Sequence, residues 1–163
     1  MDDIDRICAN LRHMADDIVK AVEKQMRAET KRIQADAKRL APVGTGQLRN
    51  SVTADVARDA ATGDIVGTVG TNVAHAMFNE LGTGPAGAAS QKDMPAGAAP
   101  KYRKNGWTYK DPKTGRFIHT EGLPARPFLY PAYKQNEARV KENIAKAIRR
   151  AQKARSKGGG DNV

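Results

Sequence analysis

Between Ile4 and Leu40 the larger apolar side chains stand at Ile4, Ile7, Leu11, Met14, Ile18, Val22, Met26, Ile33, Ala37 and Leu40, separated by steps of three, four or seven. That spacing returns each of them to one face of an α-helix, because 3.6 residues complete a turn. Charged residues fill the other face, nine basic and eight acidic within residues 1–40. Ala41-Pro42 stops the pattern, since a proline disfavours helical backbone in the residue before it. An unbroken helix over 1–40 would be about 60 Å long, more than the diameter of a small domain. Such a helix either wraps its own domain with a break or projects to meet another subunit. The near-heptad spacing of its first half suits helix-to-helix packing.

Beyond Pro42 the chain is punctuated by shorter elements. Val43-Gly44-Thr45-Gly46 reads as a turn, with Thr45 or Gly46 capping a short helical turn through Leu48. Val52, Ala54 and Val56 alternate with Thr53, Asp55 and Ala57, the period of a half-buried strand. Residues 60–64 supply a hairpin loop, and Ile65 to Thr71 returns as an antiparallel partner whose glycines thin one face. Val73 to Leu81 predicts a short helix stopped by Gly82-Thr83-Gly84, and the Ala-, Gly- and Pro-rich stretch 85–100 predicts a mobile loop. Trp107-Thr108-Tyr109 and Arg116-Phe117-Ile118 flank Asp111-Pro112-Lys113-Thr114-Gly115 as a second hairpin. Pro127-Phe128-Leu129-Tyr130-Pro131-Ala132 leads into a basic final helix over 131–155, with Tyr133, Val140, Ile144, Ala147, Ile148 and Ala151 on one face. Residues 156–163 read as a disordered tail. The expected class is α+β: a long N-terminal helix, a small antiparallel sheet built from hairpins within 48–126, and a C-terminal helix, in a single domain over 1–155.

Composition bears on how such a fold is stabilised. Leu, Ile, Val and Phe together make up only 27 of 163 residues, while alanine alone contributes 26. Alanine favours helices but buries little apolar area, so a lone copy gains much from neighbours, and a homo-oligomer or subunit is expected. The lone Cys8 excludes an internal disulfide framework and a multi-cysteine zinc site. No apolar stretch approaches the roughly 20 residues that span a bilayer, and the acidic start lacks an apolar signal core, so no membrane association and a cytoplasmic origin are expected.

The formal charge is +10, of which residues 133–163 hold nine Lys or Arg against three carboxylates. Lys146, Arg149, Arg150, Lys153 and Arg155 are therefore candidates for non-specific contact with nucleic acid. Tyr102, Trp107 and Tyr109, near Lys101, Arg103 and Lys104, offer stacking surfaces. A solvated helix face is the competing reading. Catalytic chemistry finds no support. His13, His75 and His119 fall in separate elements without ligand spacing, and Ser51 and Ser90 lack a Gly-x-Ser-x-Gly elbow. His75 and Glu80 are five positions apart, far from one helix face. Gly44-Thr45-Gly46 and Gly82-Thr83-Gly84 lack the strand and the Lys-Ser or Lys-Thr pair of phosphate loops and read as turns. Neither a cofactor nor a metal is expected.

Taken together, the punctuation is more distinctive than any one motif: Ala41-Pro42, Thr45-Gly46, Leu48-Arg49, Ser51-Val52, Val69-Gly70-Thr71, Ala76, Glu80, Gly82-Thr83, then Pro127-Phe128-Leu129 with Pro131-Ala132. In that order, over about residues 1–150, the chain resembles the gene-product-ten family of tailed phages. The resemblance implies a non-enzymatic structural component of the phage neck or tail, active in head–tail joining or tail completion. It implies as partners further copies in a ring and neighbouring neck or tail proteins; non-specific contact with packaged DNA is an expectation from the positive charge alone. It marks Pro42, Gly46, Leu48, Glu80, Gly82, Thr83, Pro127, Phe128, Leu129 and Pro131 as assembly or structural positions. His75 departs from the family's usual tyrosine, and 85–100 stands as an insertion. Pro42 is expected to end the long helix, Gly46 to permit a tight reversal, and Phe128 with Leu129 to plug the gap between sheet and final helix. Glu80, at the unfavourable end of its short helix, is expected to find a cation such as Arg49 or Arg126, within the fold or across subunits. A stand-alone nucleic-acid-binding protein is the alternative.

Overall fold

A computed structural model describes residues 3–44, 46–90, 94 and 97–158, side chains from 155 onward excepted. The elements run α1 (Asp3–Leu40), α2 (Gln47–Ser51), β1 (Thr53–Arg58), β2 (Ile65–Gly70), α3 (Ala76–Leu81), α4 (Gly84–Ser90), β3 (Trp107–Lys110), β4 (Phe117–Thr120) and α5 (Leu129–Gly158). The class is α+β, as the pattern of residues predicted. The strands form two separate two-stranded sheets, β1 with β2 and β3 with β4, rather than one shared sheet.

Both sheets are closed by the same local device. In each loop an Asp-x-x-Thr-Gly run folds its own aspartate over the turn: Asp59, Thr62 and Gly63 in the first, Asp111, Thr114 and Gly115 in the second. Asp59 accepts from the backbone N–H of Ala61 at 2.8 Å and Thr62 at 3.0 Å, and Asp111 accepts from that of Lys113 at 3.0 Å and from the Thr114 hydroxyl at 2.7 Å. These bonds favour the charged form and hold both carboxyls below the usual aspartate range. Gly63 and Gly115 take φ values of 77° and 70°, a left-handed conformation that other residues adopt only with strain. The chain reverses within a few residues, which makes each pair antiparallel; in the second, Trp107 faces Thr120 and Lys110 faces Phe117.

The chain divides into two compact units, residues 1–33, 54–69 and 135–163 in the first, and residues 34–53 and 70–134 in the second. Their interiors differ in kind. In the second unit Ala37, Ala41, Leu48, Val52, Ala76, Phe128 and Ala132 are buried, an apolar core in which alanines fill most positions. Gln34 reaches the Val52 carbonyl at 2.8 Å, and the Ser51 and Thr71 hydroxyls meet at 2.6 Å. In the first unit the buried residues are Val56 together with the polar Glu29, Thr30 and Asn136. Gly67 of β2 leaves room for α1: a Cβ there would lie 2.4 Å from the Thr30 hydroxyl and 3.3 Å from the Met26 sulfur.

Some expected boundaries move. Residues 85–90 of the expected loop are helical as part of α4, because this alanine- and glycine-rich run is held by bonds from Ala86 and Gly87 to the Glu121 and Thr83 carbonyls. Positions 91–93, 95 and 96 of that loop lie outside the described residues. The helix expected from Val73 begins at Ala76. The final helix starts at Leu129, so Pro131 sits in its first turn, where no helical N–H is required of it. It continues through Gly158, so residues 156–158 of the expected tail are helical, and 159–163 lie outside the described residues. Tyr133 is 47 % exposed and faces away from the buried side of α5, which Ala132 and Asn136 occupy instead. Val140, Ile144, Ala147, Ile148 and Ala151 are half-buried, as their spacing predicted.

Glu29 is the centre of the first unit's interior. Its carboxylate accepts from Gln25 at 2.8 Å and Asn143 at 2.7 Å, and pairs with Arg139 at 3.4 Å; Arg139 also donates to the Asn136 side chain. Burial pushes the Glu29 carboxyl up, but the Asn143 and Gln25 hydrogen bonds and the Arg139 charge outweigh it, leaving it below its ordinary value of 4.5. A carboxyl depressed in the folded state contributes stability that is complete above the unfolded value and lost as pH falls through the folded one. Glu29→Gln is expected to cost about 1–3 kcal/mol at neutral pH, because it leaves Arg139 and a half-buried amide, of Gln25 or Asn143, imperfectly paired. The difference between native and variant urea midpoints should shrink as the pH drops below 4.5. A difference independent of pH would refute this role for the charge.

Candidate assembly surface

The positions marked by the sequence resemblance converge mainly in the second unit, and there they close a clasp. After β4 the chain runs without regular secondary structure from Glu121 to Arg126 along α3 and α4, bonded to both and to the link between them. Thr83 N–H donates to the Leu123 carbonyl at 2.8 Å, and Leu123 N–H returns a bond to the Thr83 hydroxyl at 2.9 Å. Ala125 N–H reaches the Ser90 hydroxyl at 2.7 Å, and Arg126 N–H the Asn79 carbonyl at 2.7 Å. At the end of this strap the Glu80 carboxylate accepts three backbone N–H groups, from Phe128 at 2.7 Å, Leu129 at 3.0 Å and Tyr130 at 2.8 Å.

The first amides of a helix have no intrahelical acceptor and carry partial positive charge, so a carboxylate placed on them satisfies donors and complements the dipole together. Glu80 thus serves as the N-terminal cap of α5, supplied from fifty residues upstream. The expectation of Arg49 or Arg126 as its partner within the fold is corrected: among the described residues Glu80 forms no ion pair with either. Its own position near the C-terminal end of α3 is offset by the start of another helix.

Gly82 and Thr83 belong to the same clasp. Gly82 has φ 74°, and a Cβ there would lie 2.6 Å from Gly87 Cα and 2.8 Å from both Ala125 N and the Leu123 carbonyl. Only glycine lets the strap and α4 approach this closely. The N–H groups of Gly82 and Thr83 are bonded to the Phe78 and Leu123 carbonyls, so Gly82-Thr83 links α3 to α4, while Gly84 of the expected turn is the first residue of α4. Phe128 is fully buried beyond the clasp, whereas Leu129 and Pro131 are half-buried and Pro127 is exposed, so Phe128 alone of the expected pair is a complete plug. Elsewhere in the unit Pro42 follows the end of α1, Gly46 at φ 78° precedes α2, and Leu48 of α2 is buried. Thr45, the other expected cap, lies outside the described residues.

Beside the clasp lies an open groove of about 470 Å³, walled by Met77, Phe78, Leu81, Pro100, Tyr102 and Trp107. The Tyr102 hydroxyl donates to the Leu81 carbonyl at 2.7 Å, which fixes one wall. Lys101 and Arg103 stand on the rim, the Arg103 guanidinium 6.0 Å from the Trp107 ring centre. The groove is apolar within and cationic at its edge. The sequence predicts a stacking surface from these aromatic and basic residues; their folded neighbour is the exposed pair Met77 and Phe78, which no local pattern in the sequence ties to them.

The first unit carries the expected basic face. Lys146, Arg149, Arg150 and Lys153 are exposed and recur at helical spacing along one side of α5, with Lys146 paired to Glu142 at 2.6 Å. The side chain of Arg155 lies outside the described ones. Among the described residues no group of His, Cys, Asp and Glu could hold a metal ion, and no helix is long and apolar enough to cross a membrane.

The clasp makes a direct prediction. Glu80→Gln turns one acceptor into a donor facing backbone N–H groups, so the variant should lose about 1–3 kcal/mol. An unchanged urea midpoint would show that α5 needs no cap from α3.

No curated protein and no solved structure gives a significant match to the chain. A family model does, and it covers α1 through the glycine that ends α3. That span holds Pro42, Gly46, Leu48, Glu80 and Gly82, while Thr83 and the Pro127 to Pro131 motif lie beyond it. The resemblance drawn from the sequence is borne out to this extent: residues 5–82 match the family described as "Bacteriophage HK97-gp10, putative tail-component".

Proposed function

We propose that this chain is a structural subunit of a tailed phage, built into the neck or tail and acting in head–tail joining or tail completion by oligomeric assembly. The observation that carries this reading is the family match over residues 5–82, which includes Glu80 and Gly82 of the clasp. The uncovered apolar groove beside that clasp supports it, because such a surface is suited to a protein neighbour. On this reading the protein is made in the host cytoplasm and its partners are further copies in a ring and adjoining neck or tail proteins. Its work is positional and requires no cofactor.

Deleting the gene from its phage or prophage, with complementation as control, tests the proposal by negative-stain electron microscopy of the lysate. Filled heads apart from tails are expected if the subunit joins them, and tails of abnormal length if it completes them. Intact infectious particles would overturn the reading.

The cationic side of α5 favours a second property, contact with DNA through phosphates. Lys146, Arg149, Arg150 and Lys153 share one exposed face, the arrangement that follows a backbone without reading bases. If this face meets packaged DNA as part of the particle, truncation after Arg149 should weaken DNA retention. If the protein instead binds nucleic acid by itself, duplex affinity should fall with salt at a logarithmic slope of about −0.9 per phosphate contacted, and gene deletion should leave particles intact. Normal retention together with no salt-sensitive binding would assign the charge to solubility.

A further inference from the structure

Among the described residues two apolar surfaces are uncovered, and they are flanked by opposite charge. On α1, Ile4, Ile7 and Leu11 are 72, 58 and 55 % exposed. With Met14 and Ile18 they alternate in steps of three and four, the a and d positions of a heptad seam. Asp3, Asp5, Asp16 and Asp17 lie along this segment against Arg6 and Arg12, a locally acidic stretch in a basic chain. The groove is the complement. Met77 and Phe78 are 58 and 46 % exposed, Trp107 forms a wall, Lys101 and Arg103 hold the rim, and among the described residues no carboxylate lines it.

Self-pairing of the α1 seam is the obvious alternative, and charge argues against it. In heptad register the g positions are Asp3, Asn10 and Asp17, and the e positions Cys8, Ala15 and Val22. Antiparallel pairing would set Asp3 of one copy near Asp17 of the other, a like-charge contact. Parallel pairing would set the carboxylates beside uncharged side chains, without gain. The groove offers the same apolar residues both burial and cations.

The geometry points to a second copy of this chain as the occupant: α1 of one copy lays Ile4, Ile7 and Leu11 into the Met77, Phe78 and Trp107 groove of the next, with Asp3 and Asp5 meeting Lys101 and Arg103. This deepens the assembly reading above and rests on it. Each chain carries one helix and one groove, so the contact is heterologous, and repeated copies either close into a ring or extend as a filament. Cation and carboxylate at the edge set register, while burial of the isoleucines and leucine supplies the attraction.

The test uses full-length protein in analytical ultracentrifugation. Ile4→Lys with Ile7→Lys spoils the helix, and Met77→Glu spoils the groove; all three positions are exposed, and circular dichroism verifies that both variants fold. The native chain should associate with rising concentration and each variant alone should lose that association. Their equimolar mixture should form heterodimers that grow no further, because one intact helix and one intact groove remain. Reversing Asp3 and Asp5 to Lys should weaken association at low salt, and Lys101→Glu with Arg103→Glu in the same chain should restore it. A native chain monomeric at millimolar concentration would overturn the inference, as would a mixture that fails to complement. A groove variant that still dimerises while the helix variant does not would instead establish seam-to-seam pairing. A particle defect on gene deletion combined with a monomeric protein would sink this contact and leave the function proposed above standing.

Discussion

Three backbone amides at the start of α5 converge on one carboxylate, Glu80, and the second unit is organised around that convergence. A helix of 30 residues begins with donors that no intrahelical carbonyl accepts. Here the preceding residues, Pro124 to Phe128, carry no capping hydroxyl, carboxylate or carboxamide, so the acceptor has to come from elsewhere. Bringing α3 to the start of α5 fixes the strap between them, and the strap in turn brings Gly82 and Thr83 against residues 121–125. Phe128 is drawn into the core by the same geometry that presents its N–H to Glu80.

The two units illustrate different solutions to a shortage of large apolar residues. In the second, small side chains permit close backbone approach, and glycines at 82, 84, 87 and 122 let chain segments touch directly. Dispersion contacts and backbone hydrogen bonds then substitute for bulky side chains. In the first, the interior is organised by polar pairing around Glu29, an arrangement that specifies which faces of α1 and α5 meet there but contributes less stability than an equal volume of packed hydrocarbon. Both solutions leave apolar surface outside. The seam on α1 and the groove by Trp107 are the places where a chain of this composition has most to gain from association.

Helix extent was readable because it depends on local rules. The period of apolar residues and Pro42 mark α1 to within a few residues, and the alternation of Val52, Ala54 and Val56 marks β1. Turn residues between apolar runs also mark both hairpins, whereas the shared Asp-x-x-Thr-Gly device that closes them gains its meaning only from the bonds it makes in the folded loops. The stretch 85–90 predicts a loop because alanine, glycine and proline carry no amphipathic signal; its helix is decided by carbonyls at Thr83 and Glu121, the second of which is over thirty residues away in the chain.

The residues of the clasp show where local reading stops. Spacing and composition alone determined that the chain is α+β, begins with a long amphipathic helix and ends with a basic one, and the order of its motifs marked Glu80, Gly82, Thr83 and Phe128 together. Tertiary structure decided what those residues do. An arginine was expected for Glu80 because, on its own helix, that carboxylate is misplaced. In the fold it faces the positive end of a different helix, and a partner made of backbone N–H groups leaves no trace in side-chain identity. The sequence records which side chains are present, whereas a cap, a close glycine contact or a groove depends on which backbone the folded chain sets beside them.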